Sequence, residues 1–375
     1  MKKIIMPTIT ATAIIFLIIY PKTVISSSVQ ALDTCINVLM PTLFPFFVLS
    51  RIFVGCGGSE LLGTLFTPIM KPLFRINGYG ATPFVMGITC GYPVGAKTVV
   101  DMYKKSLLNK KEAENLICFS NNSGPLFIIG AVGTGFLSSA KAGMFLYIIH
   151  ILSAITVGIL LKFTLPHVTS VRRKTTNTPT VKNVFINAVE SSVLSVLNVF
   201  AYVIFFAIII GIISETGIFH AVADLFKKAG ISKSISIPTL YSILEMTTGI
   251  KMLNANDLAF STRLIITSFM LGWSGFSIHF QTKGILSNTD LSFARYLLIK
   301  LFHGILSSAY ACIGLFFINI DKSVFIINSF DLSSEFHVPD AFIFATGVIC
   351  IIYFIMLDRL RNNNRYSKPK QIKAK

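Results

Sequence analysis

Six long apolar runs, at residues 4–20, 34–54, 142–161, 188–213, 294–318 and 341–357, dominate the chain, and few charges interrupt them. A helix needs about 20 apolar residues to cross the hydrocarbon core of a bilayer. Inside lipid the backbone has to satisfy its own hydrogen bonds, so a spanning segment is a helix or part of a closed barrel. Runs of this length predict an all-α polytopic membrane protein. Composition closes off the soluble alternative: 53% of the 375 residues are hydrophobic and 13% are charged, about half the charged fraction of an ordinary soluble domain. The mean hydropathy of +0.72 leaves too little polar surface to cover soluble cores.

A net charge of +17 would suggest nucleic acid in a soluble protein. Here its placement argues for topology and against nucleic acid. Seven basic residues and one acid follow the last apolar run, in 358–375. Lys162, Arg172, Arg173, Lys174 and Lys182 crowd the connection 162–182 without an acid, and Lys2 and Lys3 precede the first run. By the positive-inside rule these three segments face the cytoplasm. The connection 321–340, with Asp321, Asp331, Glu335 and Asp340 against Lys322, is placed outside. The first run, 4–20, is read as an uncleaved span, since no small-residue cleavage site follows it clearly. The six cysteines show no CxxC spacing and the six histidines no HExxH pattern, so neither a disulfide framework, a metal site nor a cofactor is expected.

Four more stretches are apolar but interrupted. Residues 114–137 carry Asn121-Asn122-Ser123-Gly124-Pro125, and 258–280 carry Gly272-Trp273-Ser274-Gly275, so both are expected as broken helices. Residues 82–100 and 236–253 are short and punctuated by Pro and Gly, as re-entrant segments are. This makes about eight spans plus two re-entrant segments, with both termini inside. Lys227, Lys228 and Lys233 fit that topology poorly, because it leaves them outside.

The interruptions repeat. Residues 34–137 and 188–284 share one order: a long span, an amphipathic segment, a Pro-started re-entrant stretch, a polar connection and a broken helix. Matched positions lie about 150 to 155 residues apart. The first unit begins by crossing inward and the second outward, so the repeats are expected to be inverted, with a 1–33 lead-in, a 138–187 link, C-terminal spans in 285–357 and a 358–375 tail. Inverted repeats with discontinuous helices characterise secondary transporters, whose substrate site lies near the midplane where the interruptions meet.

A helix restarting after residues 121–125 presents free N–H groups and a positive dipole end, suited to carboxylates or phosphates. Asn121, Asn122, Ser123 and Gly124 are therefore candidate binding residues, with Ser274 and Gly275 as their counterparts; helix capping is the structural alternative for the asparagines. Lys97, after Gly95, and Lys251 end the two re-entrant stretches at equivalent places. They either supply counter-charge for an anion or snorkel to the interface. Glu245, the acid inside the second re-entrant stretch, is a candidate to pair with Lys251, relay protons or bind a co-ion. Trp273 either stacks on an aromatic ligand or packs in the core. Gly272-Trp273-Ser274-Gly275 also matches the short GxSG pattern of intramembrane serine proteases, with His303 as a conceivable base. The repeat accounts for Ser274 without catalysis, so no catalytic residue is assigned.

Three segments together, Leu43-Phe44-Pro45-Phe46-Phe47, Gly91-Tyr92-Pro93-Val94-Gly95-Ala96-Lys97 and Ser120-Asn121-Asn122-Ser123-Gly124-Pro125, resemble the YlbJ-type sporulation integral membrane proteins. That family belongs to the nucleoside-recognition, or gate-domain, group and is similar to the core of concentrative nucleoside carriers. The resemblance implies a role in endospore formation, moving dipicolinate across the outer forespore membrane. The expected function is alternating-access transport of a small aromatic dicarboxylate. A nucleoside carrier and a sporulation membrane scaffold that moves no solute are the alternatives. Membrane lipid is an expected partner, and self-association is open.

Overall fold

The computed structural model describes residues 2–165, 181–318 and 320. The run at 341–357, the acidic connection 321–340, the basic tail and most of the basic loop 162–182 lie outside the described residues.

Every regular element among the described residues is helical. Helices α1 (Lys2–Ile19) and α2 (Pro21–Thr34) meet at Tyr20-Pro21. Helix α2 runs through a π-helical turn, Cys35–Leu39, into α3 (Met40–Gly55). Then come α4 (Gly58–Phe74), α5 (Ala81–Cys90), α6 (Val94–Lys104), α7 (Lys110–Ser120), a π-helical segment Leu126–Phe136 and α8 (Ala140–Leu161). The rest comprises α9 (Val181–Glu215), α10 (Ile218–Lys228), α11 (Lys233–Leu244), α12 (Met246–Asn254), α13 (Phe260–Trp273), α14 (Gly275–Leu286) and α15 (Phe293–Phe317).

Local chemistry sets many of these boundaries. Asn109 and Glu112 form a reciprocal capping box at the start of α7. The Ser139 and Ser292 side chains accept N–H bonds at the starts of α8 and α15. Gly57 and Gly217, both left-handed, turn the chain into the amphipathic helices α4 and α10.

Three helical stretches are long and apolar enough to cross a membrane unbroken: Ala140–Thr164, Val184–Glu215 and Phe293–Phe317. They coincide with the runs expected at 142–161, 188–213 and 294–318. The runs at 4–20 and 34–54 behave differently, because each is one arm of a bent pair. Pro7–Ile19 meets Pro21–Leu39 at 93°, and Leu43–Gly55 meets Gly58–Phe74 at 82°. Pro21 brings no N–H to continue the first helix, and Gly57 opens the second bend. Counting each bent pair as one span gives five among the described residues, fewer than hydropathy alone suggests for this region.

The order of elements after α3 recurs after α9: an amphipathic helix, a tight pair of short helices (α5–α6, α11–α12), a broken helix (α7 with 126–136, α13 with α14) and a long apolar helix (α8, α15). Their inner faces form two buried clusters, one around Phe74, Val99, Leu116, Phe119 and Tyr296, the other around Tyr92, Ile128, Leu146, Met246 and Leu271. The outer faces of α9 and α15 stay apolar where they are exposed, with Leu194, Leu197, Phe205, Leu298, Ile305 and Phe316. An apolar exposed face on a long helix is what lipid contact requires.

Candidate functional site

Four interruptions of helix converge. The α5–α6 tip is Gly91-Tyr92-Pro93, with Gly91 at φ +78° and a cis bond before Pro93. A Cβ at Gly91 would stand 2.7 Å from the Gly124 amide nitrogen, so this tip rests directly on the break between α7 and segment 126–136. In the second half, Glu245 separates α11 from α12, and Ser274 (φ +79°) with Gly275 (φ +82°) separates α13 from α14. A Cβ at Gly275 would meet the Ser242 carbonyl oxygen at 2.9 Å and the Met246 nitrogen at 3.1 Å. Each tip is thus seated against the broken helix of its own half through a position where only glycine fits. Tyr92 then joins the halves: its hydroxyl lies 2.5 Å from Ser274 Oγ and donates to the Leu271 carbonyl at 3.2 Å.

Between the interruptions lies an open cavity whose envelope of about 680 Å³ includes open solvent at its mouth. Thr89, Cys90, Gly91 and Tyr92 line it from the first tip, and Ser123, Gly124, Leu126 and Phe127 from the first break. Glu245, Met246 and Thr247 come from the second tip, and Ser277, Ile278 and Gln281 from α14. Leu39, Leu43, Phe46, Val199 and Val203 close the apolar side. Concave, mostly apolar walls with a few convergent polar groups are the usual form of a small-molecule site.

The expected residues fall into three positions. Ser123, Gly124 and Glu245 line the cavity. Asn121, Asn122, Ser274, Gly275 and Gly95 lie behind it and hold the interruptions. Asn121 Nδ2 donates to Thr282 Oγ1 and the Tyr296 hydroxyl, both at 3.0 Å, and Asn122 Nδ2 to the Phe119 carbonyl at 2.7 Å. The Oδ1 atoms of both asparagines are buried with no hydrogen-bond partner among the described residues. Gly95 lets α6 pack on the Ser120 carbonyl, which a Cβ would strike.

Lys97, Lys251 and Trp273 stand apart from the cavity. Lys97 is half-buried, with Arg51 and Asp101 as charged neighbours. Lys251 is exposed, six residues beyond Glu245 at the second tip, roughly 9 Å along the helix. Trp273 donates Nε1–H to the Ile243 carbonyl and packs edge-on against Phe276 and His279, so its ring is used in the interior. Glu245 makes no ion pair with Lys251. Its two carboxylate oxygens accept the Thr247 and Thr248 N–H groups at 2.9 and 2.7 Å, capping α12.

A polar cluster at the back of the site was not anticipated. Lys300, fully buried on α15, donates to the Asn121 carbonyl at 3.0 Å and contacts His303 Nδ1 at 3.0 Å. Its Nζ lies 5.8 Å from the Tyr92 ring centroid. His303 Nε2 lies 2.9 Å from Ser153 Oγ and 3.3 Å from the His150 carbonyl. His150 Nε2 in turn accepts the Ser123 N–H at 3.2 Å. These contacts turn His303 toward Lys300 and Ser153, and none of them reaches Ser274. The signal in the sequence was the spacing Lys300, His303, Ser307, one face of an otherwise apolar helix, where ionisable groups mark function by default. Ser277 and Gln281, four apart after the second break, were legible in the same way.

These features define an all-helical membrane protein of the gate type. Residues 36–140 match the family model described as "Gate: Nucleoside recognition". The chain is also 32% identical over 316 residues, 78% of its own length and 77% of the relative's, to the sporulation integral membrane protein YlbJ of Bacillus subtilis (strain 168). It belongs to the YlbJ family of sporulation integral membrane proteins. No solved structure matches it.

Proposed function

We propose that this chain is an alternating-access carrier for a small anionic aromatic solute, dipicolinate first, serving the outer forespore membrane during endospore formation. The observation that carries the reading is the convergence of two helical-hairpin tips and two helix breaks on one cavity. Backbone irregularity is tolerated at membrane depth where it is buried or lines a cavity, and interrupted helices around a central site are how secondary transporters bind and release solute. On this reading the recurring halves are inverted repeats, part of about eight crossings with both ends inside. Tilting one tip against its break opens the site to one side at a time. Ser123 and Gly124 at the restart of segment 126–136, with Ser277 and Gln281, would orient a flat polar ligand, while Phe127 and Tyr92 offer aromatic faces.

One observation favours a neutral solute. The lining includes a carboxylate, Glu245, and no lysine or arginine, which suits a nucleoside and agrees with the description of the matched gate family. Glu245 is already engaged by two N–H groups of α12, which tempers its repulsion of an anion. Thermal-shift binding to the purified chain separates the two readings, because a ligand bound only by the folded state raises apparent stability. Stabilisation by dipicolinate that uridine does not compete away supports the anion reading. Stabilisation by uridine alone replaces it with the nucleoside reading.

A further inference from the structure

Lys300 is buried completely, yet among the described residues none of the titratable groups facing it is a carboxylate. On its own helix it contacts His303 and has Tyr296 about one turn away, the Tyr92 ring of the first tip lies beside it, and its charge would be felt by His150 on α8, His279 on α14 and Cys118 on α7. An ammonium without a counter-charge is expensive in such a place.

The hydrogen-bond geometry fixes how its neighbours are set. The His150 carbonyl only accepts, so a His303 proton on Nε2 satisfies that contact, with Ser153 Oγ beside it, and leaves Nδ1 to accept from Lys300. His150 Nε2 accepts from the Ser123 N–H, which puts its own proton on Nδ1, an atom without a partner among the described residues. Both imidazoles are therefore neutral in this arrangement. Two ionisable side chains thus grip the first helix break from behind, Lys300 at the Asn121 carbonyl and His150 at the Ser123 N–H. Two Nζ directions of Lys300 go to the Asn121 carbonyl and His303. The Tyr92 ring lies on a third side, and Tyr92 itself lines the cavity. A cation is attracted to that ring face and a neutral amine is not, so a charge on Lys300 is felt through the cavity wall.

We propose that Lys300 is the proton-binding site of an anion–proton symport, taking up one proton when an anion occupies the cavity and giving it up when the anion leaves. The Nζ lone pair accepts H⁺ from water and the amine becomes an ammonium. The incoming anion supplies the counter-charge that the surroundings lack, and release of the anion returns the proton to water. Linkage requires the reciprocal effect, so a proton on Lys300 strengthens anion binding by the same factor. The proposal rests on the anion-carrier reading and assigns the charge to Lys300, away from Lys97 and Lys251.

The test uses the full chain in detergent, titrated with dipicolinate from pH 6 to 9, where both ligand carboxylates stay ionised. The expected result is wild-type affinity that weakens with rising pH, approaching about tenfold per unit for one linked proton, and weaker, pH-independent binding by Lys300→Met. Flat wild-type affinity, or an unchanged slope in Lys300→Met, overturns the proposal. A ligand-free arm compares the unfolding midpoints of the two proteins over the same range. A difference that is constant over one part of the range and slopes over the rest shows the proton on Lys300 moving. A difference that slopes throughout shows the ligand-free amine neutral over the whole range and supports the proposal, whereas a difference constant throughout shows that Lys300 keeps its proton without the anion and overturns it. If dipicolinate fails to bind wild type at any pH, the carrier reading falls, and the ligand-free arm alone decides the proton site. Should Lys300→Met not fold, Lys300→Gln, which still donates to the Asn121 carbonyl, replaces it in both arms.

Discussion

The placement of the buried polar cluster depends on how closely α13 approaches α15, and that approach runs through Gly272 and Gly304. A Cβ at Gly272 would stand 2.6 Å from Gly304 Cα, 2.9 Å from Gly304 N and 3.0 Å from the His303 carbonyl oxygen. All three are backbone atoms, so nothing flexible can give way. Reaching ordinary contact at 3.4 Å requires the helices to part by about 0.8 Å at that point. Overpacking of this kind costs roughly 1–3 kcal/mol, while the helix propensity gained by Gly→Ala returns up to about 1 kcal/mol. Gly272→Ala is therefore expected to destabilise by about 1–2 kcal/mol, lowering the unfolding midpoint by roughly 1–3 °C for a chain of this length. Gly304→Ala differs, because its Cβ would sit 3.0 Å from the Phe269 carbonyl oxygen and 3.1 Å from the Trp273 nitrogen. A shift of a few tenths of an ångström relieves it, and propensity balances the penalty to within about 0.5 kcal/mol. Gly130→Ala, whose Cβ would meet nothing within 4 Å, is the control and should match or exceed wild type. Unfolding midpoints in one detergent give the order, and ligand affinity should fall with Gly272→Ala, since parting the helices moves Ser274 and His303. A Gly272→Ala midpoint at or above wild type would refute the argument, as would equal losses at Gly272 and Gly304.

Glu245→Gln is expected to weaken the α12 cap by about 1 kcal/mol and to leave the pH dependence of transport unchanged, because both carboxylate oxygens are spent on backbone N–H groups; a transport assay across a pH series checks this. Lys97→Ala and Lys251→Ala should leave dipicolinate affinity as it is, since neither side chain lines the cavity; a drop of tenfold in either variant would return the counter-charge to these lysines. At the surface, bonds from the Tyr103 hydroxyl and then from Lys110 hold the Asp290 carboxyl below its usual range. A group depressed in the folded state contributes stability above its unfolded value, about 3.9, and that stability is lost as pH falls through the folded value. Asp290→Asn should therefore destabilise at neutral pH and flatten the loss of stability below about pH 4, read from unfolding midpoints in acid.

Much of this protein is local, and the local part was legible in the sequence. Apolar runs long enough to span a bilayer, with Pro, Gly and Asn interrupting others, determine an all-helical membrane chain with short paired helices and broken helices, because hydropathy and backbone dihedral limits act residue by residue. The recurrence of the Gly91–Lys97 run as Thr247–Lys251, and of Ser123-Gly124 as Ser274-Gly275, was visible for the same reason. Tertiary structure decided which of their side chains meet the cavity. Lys97 and Lys251 occupy equivalent places along the chain, yet helical phase turns one toward Arg51 and Asp101 and leaves the other exposed. Trp273 flanks a break but packs on His279. Lys300, which lies behind the Tyr92 side of the cavity, is on a helix 175 residues beyond Pro125, where the first break ends. Its contacts with Asn121, His303 and Tyr92 exist only because α7, α15 and the first tip are packed together. Periodicity reports which face of a helix is apolar; only packing selects the neighbour that face receives.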